Sequence, residues 1–175
     1  MYKRQVLGGD HSIAAGSISA TSKHYKNIGI IWVDAHGDWN NEESSPSGNM
    51  HGMPFSAVCG AGPDIMVDFG QDPVYVNTKN CVQIAGRDID EMERIRMREH
   101  GITVFSIADI DRMGMPEVID KAIEIASAGT EGIHVSFDVD SCLLYTSRLK
   151  TRSKYSRQSR KSCHNSHQRI CKRYH

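Results

Sequence analysis

Two short strings in this sequence concentrate side chains able to bind metal ions. Asp34-Ala35-His36-Gly37-Asp38 places three candidate ligands at alternate positions, and Asp138-Val139-Asp140 places two more in the same way. In extended backbone, alternate residues point to one side, so each string presents its carboxylates and imidazole together. His11 follows the Gly8-Gly9 pair at what reads as a third such turn. Four carboxylates gathered at one place repel one another unless a cation neutralises them or protons are taken up. Oxygen and imidazole donors without a thiolate suit a borderline-hard divalent ion such as manganese, with zinc or iron as alternatives. Six such ligands exceed what one structural ion usually takes, whereas two ions about 3.5–4 Å apart, sharing carboxylates, would use them all. One Asp at a strand end is ordinarily a cap or turn residue. The recurrence of the pattern at matching places is what points to a binuclear centre.

These residues need elements to hold them. Asn27 to Asp34 is an apolar run rich in β-branched residues, which predicts a buried strand delivering Asp34 at its carboxyl end. Gly132 to Phe137 is a second such strand, delivering Asp138. Val6 to Gly9 reads as the end of a strand leading to His11, followed by a helix over Ser12–Tyr25. Strands are also expected at Cys81–Ala85 and Ile102–Ser106, with helices at Ile89–His100 and Met115–Ser127, the latter opened by Pro116. This alternation calls for a parallel sheet with helices on its faces, an α/β fold whose sites lie at the carboxyl ends of the strands. Gly37 to Pro54 is polar and long, the kind of loop that is usually functional.

The net charge of zero conceals a division of the chain. Residues 141–175 hold ten Lys or Arg and no Asp or Glu, which leaves 21 − 10 = 11 basic against 21 acidic residues in 1–140. The acidic body suits a cation-binding protein, and the basic tail alone would suggest nucleic acid. The tail's serines, basic residues and lack of apolar periodicity predict that 141–175 forms no packed core, as a disordered or out-of-frame segment would. Its lack of interleaved aromatics argues against specific nucleic-acid recognition. No run of 18 apolar residues predicts a membrane span. The five cysteines are irregularly spaced, so reduced thiols are expected rather than a disulfide framework, with Cys59 read as an inert buried thiol. Without a leader-like segment the expected address is cytoplasmic, a mitochondrial form being left open. Trp32 and Trp39 are read as packing residues, and Gly8-Gly9 lacks the Lys of a phosphate loop.

The strings Gly8-Gly9-Asp10-His11-Ser12, Trp32-Val33-Asp34-Ala35-His36-Gly37-Asp38, Ser45-Pro46-Ser47-Gly48-Asn49-Met50-His51-Gly52-Met53-Pro54 and Ser136-Phe137-Asp138-Val139-Asp140 together resemble the ureohydrolase superfamily, and within it the arginase family. The resemblance covers residues 6–140 and implies a three-layer α/β/α fold of the arginase/deacetylase kind, incomplete here, with two Mn²⁺ ions. One ion would be held by His11, Asp34, Asp38 and Asp138, the other by Asp34, His36, Asp138 and Asp140. A hydroxide shared by the ions would attack the guanidinium carbon of L-arginine, giving L-ornithine and urea. His51 matches the proton-shuttling histidine, and with Asp38 it makes up the catalytic pair. Asn40, Ser47 and Asn49 would contact the amino-acid end of the substrate. Within Arg87–Glu93, which resembles another substrate-side segment, Asp90 and Glu93 would face the α-ammonium. Other ureohydrolases, such as agmatinase or guanidinobutyrase, generally lack the Ser-Gly-Asn loop, and they are the enzymatic alternative. The family's continuation after Asp140, with its guanidinium-facing Glu, has no counterpart in 141–175. This polypeptide as written is therefore expected to release little urea, the alternative being a non-enzymatic truncated product with a nucleic-acid-binding basic tail. Family members commonly assemble as trimers or hexamers, which implies a homo-oligomeric parent protein.

Overall fold

The computed structural model describes residues 5–25 and 27–142. Helix α1 (Ile13–His24) precedes strand β1 (Ile28–Val33), and the long polar loop then ends in the short helix α2 (Pro54–Val58). Strand β2 (Cys81–Gly86), helix α3 (Glu91–Glu99), strand β3 (Thr103–Ser106), helices α4 (Ile107–Met113) and α5 (Met115–Ser127), and strand β4 (Gly132–Phe137) follow. The sheet is parallel throughout, in the order β3-β2-β1-β4.

Side chains alternate along β1 and divide the core in two. Ile28, Ile30 and Trp32 face α1, α2 and Met97 of α3, while Ile31 and Val33 face Val118, Ala122 and Ala126 of α5 and Ile110 of α4. Helices thus cover both faces of the sheet, giving the three layers expected from the resemblance. β1 is buried at every position, which is why its sequence is a continuous apolar run rather than an alternating one. Gly29 is required where it stands, because a Cβ there would lie 2.0 Å from the carbonyl oxygen of Ala126 at the end of α5.

The predicted strand at Val6–Gly9 is not present. Residues 5–8 have no regular structure, and Leu7 is 90% exposed. Residues of β propensity become a strand only where a neighbour accepts their hydrogen bonds, and none lies beside them among the described residues. Two short helices were not expected. α2 starts on Pro54 at an early helical position, and α4 carries a capping box in which Ser106 Oγ accepts from the Asp109 amide and Asp109 Oδ2 from the Ser106 amide. The described residues up to Ser141 form one compact unit, and from residue 143 onward the predicted basic tail lies outside the described residues. Among the described residues no helix is long and apolar enough to cross a membrane. Cys59 and Cys81 are reduced thiols, their Sγ atoms 3.7 Å apart.

Candidate metal centre

The carboxyl ends of the adjacent strands β1 and β4 bring the ligand strings together, and the turn before α1 adds His11. The Nδ1 atom of His11 lies 2.7 Å from Asp34 Oδ2, 3.1 Å from Asp38 Oδ2 and 3.5 Å from Asp138 Oδ2. The Nδ1 atom of His36 lies 3.3 Å from Asp34 Oδ1 and 3.1 Å from Asp140 Oδ2. Two groups of converging donors result, His11–Asp34–Asp38 and Asp34–His36–Asp140, with Asp34 in both. All six predicted ligands therefore meet at one end of the sheet, and the 1% exposed Asp34 is their centre.

The backbone fixes these side chains closely. Asp34 Oδ1 accepts from the His36 amide at 2.8 Å, and Asp138 Oδ1 from the Asp140 amide at 2.8 Å, so each string closes the same local turn. The two strings are joined where the Ala35 amide donates to Asp140 Oδ1 at 3.2 Å. Asp38 sits in the left-handed region at φ 48°, unusual for a residue with a side chain, and its carbonyl accepts from the amides of Phe55 and Ser56 at the start of α2. His11 stacks on Trp32 at 4.3 Å between ring centres, and its Nε2 lies 2.8 Å from Ser136 Oγ. An imidazole held this way on its far nitrogen is oriented to offer the near one to a metal. Trp32 in turn stacks on Phe55, and Trp39 meets Phe55 edge-on, which bears out the packing role of both tryptophans.

The protonation of the cluster tests whether a cation fits. Burial works against charge on His11, yet the carboxylates of Asp34 and Asp38 outweigh it and hold the imidazole up to about 10. Hydrogen bonding to Asp34 raises His36 to about 9. Asp34, though buried, is held below the usual carboxylate range by these two imidazoles. Burial and the charge of Asp34 push Asp38 up to about 7, and burial raises Asp140 as well. Negative charge at this spot is thus balanced by borrowed protons. Divalent ions would replace those protons, and the donors are all oxygen and imidazole nitrogen, the set that suits Mn²⁺ and its neighbours.

The remaining predicted residues surround this cluster at varying depth. His51 is more than half exposed, with its Nδ1 3.4 Å from Asp10 Oδ2. Ser47 and Asn49 lie on the exposed loop, where Ser47 Oγ accepts from the Asn49 amide at 3.2 Å. Asn40 is buried and donates through Nδ2 to Asp90 Oδ2 at 3.2 Å, which joins two of the predicted substrate contacts. Glu93 is only 3% exposed, and its two oxygens accept from the amides of Trp39 (2.9 Å) and Asp90 (3.0 Å). Its carboxylate holds the metal loop against α3. Sequence reasoning passed over three side chains that brace the centre: Ser136, Gln83 and Arg87. Gln83 donates through Nε2 to the carbonyls of Asp34 and His36, and its signal was a lone amide inside an apolar strand.

The model of the arginase family matches residues 4–143. The arginase of Staphylococcus aureus (strain COL) is 49% identical over 137 residues, 78% of this chain and 45% of the relative. Among solved structures, the arginase of Bacillus cereus superposes with a TM-score of 0.71 at 50% identity, over 76% of this chain and 46% of the other. That of Bacillus caldovelox gives 0.73 at 43% identity, over 76% and 44%. The chain spans about 45% of the length of the curated relatives it matches.

Proposed function

Since the chain belongs to the arginase family, we propose that it carries a binuclear manganese centre and that the protein hydrolyses L-arginine to L-ornithine and urea. The observation that carries this reading is the sharing of Asp34 between two donor groups, the arrangement two adjacent ions need. One ion is assigned to His11, Asp34, Asp38 and Asp138, and the other to Asp34, His36, Asp138 and Asp140. When bound, such ions lower the pKa of water and supply a nucleophile near neutral pH. The other steps fall to the chain's own side chains. His51, exposed beside Asp10 at 3.4 Å, moves protons between the site and solvent. Ser47 and Asn49 present hydroxyl and amide groups to the carboxylate end of the substrate. The Asn40–Asp90 pair fixes the position of a carboxylate suited to the α-ammonium. Glu93 supports that carboxylate from beneath through its bond to the Asp90 amide.

Relative kcat/KM for L-arginine, agmatine and 4-guanidinobutyrate with the Mn²⁺-treated protein tests the substrate assignment, because the ratio holds at any absolute rate. Each analogue forfeits the hydrogen bonds to one charged end of the substrate, and bonds to charged groups contribute about 1.5–3 kcal/mol apiece, so L-arginine is expected to lead by about 100-fold. A lead for agmatine, which lacks the carboxylate, would move the protein to another branch of the ureohydrolases.

A further inference from the structure

The segment from β2 into α3 contributes no metal ligand, yet its backbone and side chains reach both ligand strings. The amides of Arg87 and Asp88 both donate to the carbonyl of Ala35 at 2.9 Å, between the ligands Asp34 and His36. The guanidinium of Arg87 turns the other way. Its Nη2 donates to the carbonyl of Asp140, and its Nη1 to that of Ser141 at 3.3 Å. One residue therefore grips the loop after β1 with its backbone and the loop after β4 with its side chain. Those two loops carry five of the six ligands and also meet at the bond from the Ala35 amide to Asp140 Oδ1 and at the 3.1 Å approach of His36 Nδ1 to Asp140 Oδ2.

The route to this position is a strained one. β2 breaks its register with β3 between Ile84 and Gly86, and Ala85 between them is buried at φ 71°. A residue with a Cβ is rarely held there, and a bulge at a strand end re-aims the side chains that follow it. Here the residue re-aimed is Arg87, across the carboxyl end of β1 towards β4. A planar guanidinium can bond two consecutive carbonyls at once, which an ammonium on a flexible stem cannot do in a fixed geometry.

We propose that Arg87 is a positioning residue that locks the Asp138–Asp140 loop against the Asp34–Asp38 loop and so sets the spacing between the two ion positions. The resemblance treats Arg87–Glu93 as a substrate-side segment, and this assigns its first residue a different task. The proposal rests on the binuclear reading only for its consequence in metal binding, because the clamp is made entirely of the chain's own atoms. The selectivity follows from where the guanidinium acts. It holds Asp140, a ligand of the His36 group, and does not hold Asp38 or His11.

The experiment is amide hydrogen exchange on the metal-free 175-residue chain, comparing wild type with Arg87→Met and Arg87→Lys, followed by Mn²⁺ titration of each. In Arg87→Met the amides of Ala35, Asp140 and Ser141 should exchange at least about 10-fold faster, while the β1–β2 ladder around Ile31 and Val82 keeps its protection. Arg87→Lys should fall between the two. The ion assigned to the His36 group should then lose affinity by about 10- to 100-fold in Arg87→Met, with the ion of the His11 group changed less than about 3-fold. Unchanged exchange at Asp140 and Ser141, or equal loss of protection in the β1–β2 ladder, would overturn the proposal. A wild-type chain that binds no Mn²⁺ while still showing the exchange effect would sink the binuclear reading and leave the clamp standing.

Discussion

The tightest constraint on the candidate metal centre is steric and lies five residues before Asp34. Replacing Gly29 with Ala would put a Cβ 2.0 Å from the carbonyl oxygen, 2.6 Å from the carbonyl carbon and 2.8 Å from the Cα of Ala126. Ordinary contact begins at 3.4 Å, so 3.4 − 2.0 = 1.4 Å of retreat is demanded of the carboxyl end of α5 or of β1. Neither is free to move. α5 is anchored by Val118, Ala122 and Ala126, all fully buried, and β1 is paired on both sides, with β2 and β4. A gap of even 0.5–1 Å forfeits a quarter to a half of each dispersion contact along the helix. The cost should therefore reach the upper end of the overpacking range, about 3 kcal/mol. At a urea slope of about 2 kcal/mol/M, the unfolding midpoint of Gly29→Ala should fall by roughly 1.5 M. Gly132→Ala, where nothing lies within 4 Å of the new methyl, is the control and should stay within about 0.5 kcal/mol. A Gly29→Ala midpoint within about 0.5 M of wild type would refute the claim that β1 is held rigidly under the metal site.

Asp34→Asn should remove both ions from a Mn²⁺ titration, whereas Asp140→Asn should weaken one by about 10- to 100-fold and spare the other; equal effects would mean that Asp34 is not shared. Burial holds the imidazole of His134 below its ordinary value, so the unfolded chain takes up a proton more readily than the folded one. Its contribution is thus fully present above about pH 6.5 and lost as the pH falls, and the stability gap between wild type and His134→Gln should narrow by up to about 1.4 kcal/mol per pH unit below that. A gap that widens on acidification would contradict this. Ser106→Ala removes the acceptor at the head of α4 and should cost about 1 kcal/mol in thermal or urea unfolding. No change would mean that the α4 cap contributes nothing to stability.

Much of this arrangement was readable in the residues, and the exceptions share a cause. β1, β4 and α5 lie where their apolar patterns predict, because a buried strand and an amphipathic helix are specified by local periodicity. Five of the six candidate ligands also announce themselves, since alternate spacing at a strand end is itself the geometry that gathers them, while His11 is marked only by the two glycines before it. Val6–Gly9 failed as a strand because pairing requires a neighbour, and sheet order is not a local property. The same limit hid Gln83, Ser136 and Arg87. Each looks like an ordinary polar residue until the order β3-β2-β1-β4 places it beside a particular carbonyl or imidazole. Glu93 was noticed through the resemblance, as a group facing the substrate. Its burial and its bonds to the Trp39 and Asp90 amides depend on how α3 packs against the metal loop.

Titration of the metal-free chain with Mn²⁺, followed by electron paramagnetic resonance, tests the central claim most directly. Two ions about 3.5–4 Å apart couple their spins. The account predicts that the signal of free Mn²⁺ is suppressed until two equivalents per chain have bound, and that the bound pair gives an exchange-coupled spectrum. Saturation at one equivalent with the six-line spectrum of an isolated ion, or no binding at all, would contradict it.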